Sequence, residues 1–348
     1  MKKLLDLRYS YDTPQNFVAM TSESLAARDE FIAMHPGKEV MKQQSCYVCS
    51  NEKLTVISEI DRYGFYYPTA ICENCGNVQQ REYYTEEVLA DFYSNIYRKI
   101  YGSQLPQKFF EDQKKGRGIE IFKFVDTVCK PKRVLEVGCG AGGNLSVFRD
   151  NDCEVIGLDF DDDYLDVARK NGIITIKGSL DKLGSNDKYD LIILSHVLEH
   201  IVEPAGFLVT LIEHLDDTGV IYIEVPSLNN VSEGGYGYDL LKYWQNAHSI
   251  HFTVSTLNLL CKKVGLQSIK QTNYIHSCWK KVKLIEEVSQ EDMADTLSDT
   301  LKLFDKIETR RKSFRAKLIG FRLLVIRFLV IIGVKDLIKL IYYKIRTS

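Results

Sequence analysis

The stretch from Val134 to Asp159 constrains the fold more than any other. An apolar, β-type run (Val134, Leu135, Val137) ends in a glycine cluster at Gly138, Gly140, Gly142 and Gly143. After a helix-length spacer, a second apolar run, Val155 to Leu158, stops at an acid, Asp159. Glycines at a strand-to-helix turn let the backbone approach a ligand closely, because no Cβ intervenes. An acid at the end of the next strand can accept both hydroxyls of a ribose. Together they describe a nucleoside site at the carboxyl edge of a parallel sheet, and hence an enzyme with a nucleoside-containing cosubstrate. The glycines also satisfy G-x-G-x-x-G (Gly138, Gly140, Gly143), with Asp159 about the right distance onward for a dinucleotide fold. On the glycines alone, a nicotinamide-dependent oxidoreductase stays open.

The rest of the chain extends this alternation. Apolar runs at 133–138, 154–159, 173–177, 189–195 and 219–226 are separated by helix-length segments. That pattern predicts an α/β fold, with a mostly parallel sheet covered by helices on both faces. A chain of 348 residues divides by length into two or three domains. The expected division is an N-terminal region over 1–115, a central domain over 116–280 and a basic helical tail over 281–348. A net charge of −2 gives no case for generic nucleic-acid binding. The opening MKKLLDLRYSYDTPQ has no apolar h-region, so no secretory signal is expected. Nine cysteines, four of them in two C-x-x-C pairs, read as thiols of a reducing compartment, which places the chain in the cytoplasm.

Those pairs, Cys46-Tyr-Val-Cys49 and Cys72-Glu-Asn-Cys75-Gly76, are separated by 22 residues. Four thiolates in two knuckles suit a closed, tetrahedral zinc site that staples a small hairpin-rich unit. An iron centre and buried free thiols are the other readings. Two histidine clusters carry the candidate chemistry. His196, Glu199 and His200 stand at i, i+3 and i+4, which predicts one helix face. His248 and His251 follow a glycine-rich loop (Gly234, Gly235, Gly237) whose Tyr236, Tyr238, Tyr243 and Trp244 are expected to form a substrate-facing lid. Histidine is suited to deprotonating a hydroxyl near neutral pH. A divalent ion such as Mg2+ that acidifies the hydroxyl is the alternative. Phe92, Tyr93, Tyr97 and Tyr101 recur at helical spacing as an aromatic core stripe; the alternative has Tyr97 or Tyr101 closing over a ligand. Gln113 and Arg117 follow on a solvated helix face, within reach of a cofactor carboxylate in the functional reading.

Glu136-Val-Gly138-Cys-Gly140-Ala-Gly142 resembles the E/D-x-G-x-G-x-G signature of class I S-adenosylmethionine-dependent methyltransferases. Lys188–Ile201 and Leu215–Pro226 are similar to their fourth and fifth strands. The resemblance implies a Rossmann-like, doubly wound, mostly parallel seven-stranded sheet with S-adenosylmethionine at its edge. Glu136 would help hold the methionine amine, and Gly138, Gly140 and Gly142 would pass beneath the cofactor. Asp159 would hold the ribose and Ser179 and Leu180 the adenine, with Phe160 and Ser195 completing the cofactor-binding set. His196-Val-Leu-Glu199-His200 stands at the place of the metal-binding E-x-x-E-H of ubiquinone-pathway and small-RNA O-methyltransferases, with His196 in place of glutamate. A later histidine of the RNA enzymes corresponds to His248. The knuckles followed by this domain are also similar to sugar C-methyltransferases of deoxysugar pathways and to methyltransferases of bacterial capsule and lipopolysaccharide loci. The chain departs from the C-methyltransferases at Asn246-Ala247-His248, where they carry H-E-H, and it lacks their downstream H-G-G-S segment. The combined expectation is O-methylation of a sugar hydroxyl, on a surface glycan or a sugar-nucleotide precursor, with histidine base assistance from among His196, Glu199, His200, His248 and His251. Metal-dependent O-methylation of another small molecule or RNA, sugar C-methylation and NAD(P)-dependent oxidoreduction are the alternatives.

From Lys306 to Ser348 the chain has twelve Lys/Arg and two acids. Arg322 and Arg327 interrupt the apolar run Leu318–Val334, so a basic interfacial helix is expected rather than a membrane span. Residues 310–348 are thus expected to rest on the inner face of the cell membrane; packing on the enzyme or in an oligomer is the other reading.

Overall fold

The computed structural model describes residues 5–12, 15–36, 41–43, 45–101, 105–283 and 287–313. Its strands are, in chain order, β1 (Met41–Gln43), β2 (Leu54–Ile60), β3 (Tyr66–Cys72), β4 (Val78–Gln80), β5 (Glu82–Tyr84), β6 (Arg133–Val137), β7 (Glu154–Asp159), β8 (Ile174–Lys177), β9 (Tyr189–Ser195), β10 (Leu215–Glu224), β11 (Ile250–His251), β12 (Leu266–Gln271) and β13 (His276–Lys281). Seven of them form one sheet in the order β12-β13-β10-β9-β6-β7-β8. The five strands from β8 to β10 are parallel, and β13 runs antiparallel to both β10 and β12. This is the Rossmann-like, mostly parallel seven-stranded sheet expected from the sequence.

Central strands buried on both faces read as continuous apolar runs. Successive side chains still part to opposite faces. Leu135, Ile192 and Ile221 enter one core cluster, while Val134, Leu191, Ile193, Val220 and Tyr222 enter another. From β6 the chain winds outward through β7 to β8, then returns to the other flank of β6 as β9. That reversal opens a crevice over the carboxyl ends of β6 and β9, the usual ligand position in such sheets.

The N-terminal region does not stand apart from this sheet. β2, β3 and β4 form an antiparallel sheet whose fourth strand is β11, with Ile250 opposite Gln79 and His251 opposite Val78. The helix Gln290–Arg311 opens on a Ser289/Asp292 capping box, and its Leu297 packs on the second knuckle. At that contact Gly76 is required twice over. Its φ is +70°, and a Cβ there would come within 2.6 Å of the Leu297 Cα. None of the described helices is long and apolar enough to cross a membrane. The basic segment expected to meet the membrane lies, from residue 314 onward, outside the described residues.

Candidate active site

The glycine turn is pinned to the end of β7. Gly138 and Cys139 donate backbone N–H groups to Leu158 O at 2.8 and 3.0 Å. Gly140 N–H donates to Asp159 Oδ2 at 2.8 Å, while Oδ1 accepts from Phe160 and Asp161 N–H at 2.8 and 3.0 Å. A carboxylate offers about four acceptor sites, so Asp159 retains capacity for a ligand hydroxyl. Gly138 has φ +70°, and a Cβ there would meet Val197 Cγ2 at 2.6 Å. No other residue fits this turn without displacing the segment before Glu199. Phe160 is 70% exposed beside Asp159, an apolar ring free to flank a base. Ser179 and Leu180 begin the short helix after β8, on the same edge.

Three acids surround this crevice. Glu136 is 1% exposed; its Oε1 accepts from Asn144 Nδ2 at 2.8 Å, and its Oε2 is buried without a partner. Burial, reinforced by the charges of Asp159 and Glu224, pushes its carboxyl up to about 8. Glu224, at the end of β10, accepts from Ser195 Oγ at 2.9 Å and pairs with Arg117 at 3.3 Å and His196 Nε2 at 3.4 Å. Ser195, expected at the cofactor, and Arg117, expected on a solvated helix face with the cofactor as the alternative, are thereby engaged with Glu224. Gln113 Oε1 is buried without a partner. Glu136 and Glu224 both face Arg117, and Glu224 also faces His196 and His276. A bound cation would favour the ionised form of Glu136 and so add a third carboxylate to Asp159 and Glu224, which fits S-adenosylmethionine with its sulfonium and ammonium. The same negative charge opposes the anionic bridge of a dinucleotide.

The expected single helix face at His196–His200 is not what brings those residues together. His196 has φ +58° and only Leu198–His200 is helical, as one 3-10 turn. His196 Nδ1 lies 3.2 Å from Glu199 Oε1. Burial opposes a charge on this imidazole, but the Glu199 and Glu224 hydrogen bonds prevail and hold it up at about 9. His196 thus stands between two carboxylates, Glu199 and Glu224, at 3.2 and 3.4 Å.

Glu199, His200 and His248 do converge, each with a ligand atom within 4.8 Å of the others. His200 Nδ1 donates to Ala247 O at 2.7 Å, which leaves the Nε2 lone pair free. Glu199 is 1% exposed, and its Oε2 is buried without a partner. Burial, followed by the neighbouring His200 and His251, drives His248 well below the ordinary histidine range. His251 is separate from this trio: it is fully buried, 3.1 Å from Tyr67 Oη and packed edge-on to Trp244. Burial takes its imidazole down to about 3. Its ring packs at the junction with the N-terminal sheet, where His251 stands opposite Val78.

The four sulfurs of Cys46, Cys49, Cys72 and Cys75 also lie within 4.8 Å of one another, with Cys46–Cys75 at 3.6 Å and Cys49–Cys72 at 3.5 Å. A tetrahedron with Zn–S bonds of about 2.3 Å has edges of about 3.8 Å, so the cluster fits a tetrahedral ion with little adjustment.

The aromatic stripe is mostly core. Phe92 packs with Phe31 and Phe65, and Tyr97 stacks on Tyr101 with centroids 4.5 Å apart. Tyr101 links the stripe to the site by donating to Asn246 Oδ1 at 2.6 Å. Of the expected lid aromatics, Tyr238, Tyr243 and Trp244 are buried, and Tyr236 alone is exposed. Glu224, Arg62 and Tyr67 went unread in the sequence, and Asn246 was read only as a departure from a motif. Glu224 had a signal, an acid ending an apolar run as Asp159 does.

Residues 104–271 match the methyltransferase domain family, a span just under half of the chain. The matched span carries the mostly parallel sheet and its acid-lined glycine turn. Among curated proteins, the chain is similar to the ubiquinone biosynthesis O-methyltransferase of Pasteurella multocida, 30% identical over 108 residues, or 26% of this chain and 45% of that protein. The enzyme of the same name from Rickettsia canadensis is 26% identical over 96 residues, 26% of this chain and 41% of that protein. The chain thus spans less than half the length of these relatives. Among solved structures, a SAM-dependent methyltransferase from Archaeoglobus fulgidus aligns with 20% identity and a TM-score of 0.39, over 56% of this chain and 91% of that one.

Proposed function

We propose that the chain is an O-methyltransferase that moves the methyl group of S-adenosylmethionine to a hydroxyl held by Glu199, His200 and His248. The observation that carries this reading is their convergence, with His200 oriented by Ala247 so that Nε2 faces Glu199. Bound S-adenosylmethionine supplies an electrophilic methyl on sulfur, and the residues' task is to place and activate the hydroxyl in line with it. Asp159 and Glu224, joined by Glu136 once it ionises on binding, supply the negative field that retains the cofactor's cations.

For activation, a divalent cation fits the trio better than the histidine base expected from the sequence. A ligating histidine usually donates its other ring N–H to a backbone carbonyl, as His200 does. His248, depressed far below neutrality, is a weak proton acceptor but remains neutral and able to ligate. Two imidazoles and one carboxylate suit Mn2+, Fe2+ or Zn2+ better than Mg2+. Held there, the ion would lower the hydroxyl's pKa. For the four cysteines we propose structural zinc.

The acceptor we propose is a sugar hydroxyl, free, nucleotide-linked or in a glycan. Its support is that the cysteine unit, the part shared with sugar methyltransferases by resemblance, supplies β4, which pairs beside His248. The proposal includes a cytoplasmic enzyme whose residues 310–348 rest on anionic lipid.

The test is transfer of labelled methyl to a cell extract, with product identification, before and after brief chelation and add-back of Mn2+. Chelation and His200→Ala are each expected to abolish labelling, and Mn2+ to restore only the wild type. Chelation-resistant turnover lost in His200→Ala would return the base mechanism. Full activity of His200→Ala would remove the trio from catalysis.

A further inference from the structure

The turn between β2 and β3 docks on the segment that carries His248. Arg62 N–H donates to Trp244 O at 2.9 Å, and Asn246 N–H donates to Asp61 Oδ2 at 3.2 Å. Asp61 is fully buried and occupied by backbone, since Tyr63 and Phe65 N–H also donate to its Oδ1, each at 2.9 Å. The Arg62 guanidinium has no carboxylate within 4.0 Å among the described residues. It donates instead to Tyr63 Oη at 2.8 Å and lies over the rings of Tyr63 and Tyr101, at 4.8 and 5.9 Å from their centroids. Its Nε is buried without an acceptor. Asn246 shows the same deficit. Its Oδ1 takes the Tyr101 hydroxyl, leaving Nδ2 buried without an acceptor.

Asn246, two residues before His248, thus brings one orphan donor, and Arg62, docked on Trp244 and near enough for its charge to act on the His248 imidazole, brings a second. Folded proteins keep few buried donors unsatisfied, because each is costly. Tyr101 joins the two residues, with its ring beneath the Arg62 guanidinium and its hydroxyl on Asn246, so one oxyanion beside it would meet both donors. In the segment before Asn246, Tyr236 packs edge-on to Tyr243 and is held at φ +55°, a backbone conformation that bulky residues rarely adopt and that clusters at ligand clamps.

Resting on the hydroxyl-acceptor reading above, we propose that Arg62 and Asn246 form an anion subsite for the acceptor. It takes a phosphoryl or carboxylate group and sets the hydroxyl beside Glu199, His200 and His248. The substrate class is then a hydroxy compound bearing an oxyanion, not a neutral alcohol. A guanidinium's forked donors match either oxyanion.

The test uses the full chain saturated with S-adenosylhomocysteine, titrated calorimetrically with inorganic phosphate and, separately, with acetate. At least one is expected to bind, and the stronger identifies the phosphoryl or carboxylate class. Arg62→Gln should weaken it about tenfold, and Asn246→Asp, which places a negative charge in the subsite, by more. S-adenosylhomocysteine affinity should be unchanged in both. Asn246→Asp keeps the acceptor for Tyr101, so it decides the matter should Arg62→Gln lower the melting temperature. Equal anion affinity in wild type and Asn246→Asp, or no binding of either anion to wild type, overturns the subsite. Failure to bind S-adenosylhomocysteine would instead overturn the methyltransferase reading, and anion titration of the unliganded chain would still test the subsite.

Discussion

The cofactor edge and the acceptor edge meet over the ends of β6 and β9, yet they are assembled in opposite ways. The core of the cofactor edge comes from one β-α-β unit, in which Gly140 reaches Asp159 only 19 positions on. The acceptor edge draws on three distant segments. Tyr67 donates to His248 O across 181 positions, and Ser249 N–H donates to Glu199 O at 2.8 Å. Gln80 N–H donates to Ser249 O at 3.0 Å, so the cysteine-bearing sheet grips the strand that follows His248. The cofactor site should therefore tolerate damage to the N-terminal region, and the acceptor site should not.

The hardest blow to that contrast is Cys72→Ser. Structural zinc contributes on the order of 10 kcal/mol to the folding of small zinc units, so one lost thiolate should release the ion and loosen β3 and β4. Turnover is expected to fall to background, while S-adenosylhomocysteine affinity stays within about threefold of wild type. Metal analysis and calorimetry on one preparation read both. Parallel loss of cofactor affinity would show the two edges to be a single cooperative unit. The reverse dissection is Asp159→Ala, which removes the acceptor for Gly140, Phe160 and Asp161 N–H as well as any ligand hydroxyl. Hydrogen bonds to a charged group contribute about 1.5–3 kcal/mol each, so cofactor affinity should drop by about 100-fold, with bound metal unchanged. Unaltered affinity would leave the glycine turn without its proposed ligand.

The same contrast explains what was legible in the sequence. The five parallel strands and the glycine turn were readable because period, glycines and terminal acid lie within one local unit. The Cys46–Cys75 pattern was readable because knuckle spacing encodes its own geometry. His196 and His251 were singled out by type and spacing, but their roles depend on partners that spacing does not show. For His196 these are Glu199 and Glu224; for His251 they are Tyr67 and Trp244. Arg62 was invisible, and Asn246 legible only as a departure from a motif, for the same reason: a turn docks on a loop some 180 positions away.

The smallest expected effect is a titration at the cofactor edge, and it separates charge from shape. Burial holds the Glu136 carboxyl up at about 8, against an ordinary value of 4.5. Between those values the unfolded chain is ionised while the folded chain keeps its proton. The unliganded protein should thus lose stability as pH rises through this window, by at most about 1.4 kcal/mol per unit. A bound cation favours the carboxylate, so cofactor affinity should rise by up to tenfold per pH unit from about 6 to 8 and then level off. Binding at pH 7 should release a proton, seen as a calorimetric heat that depends on the buffer's ionisation enthalpy. Glu136→Gln should bind more weakly at pH 8 and show neither the slope nor the buffer dependence. A wild-type heat independent of buffer would mean that Glu136 is already ionised before the cofactor arrives. Shape at Gly138 and hydrogen bonding at Asp159 would then carry the selectivity that we assign to charge.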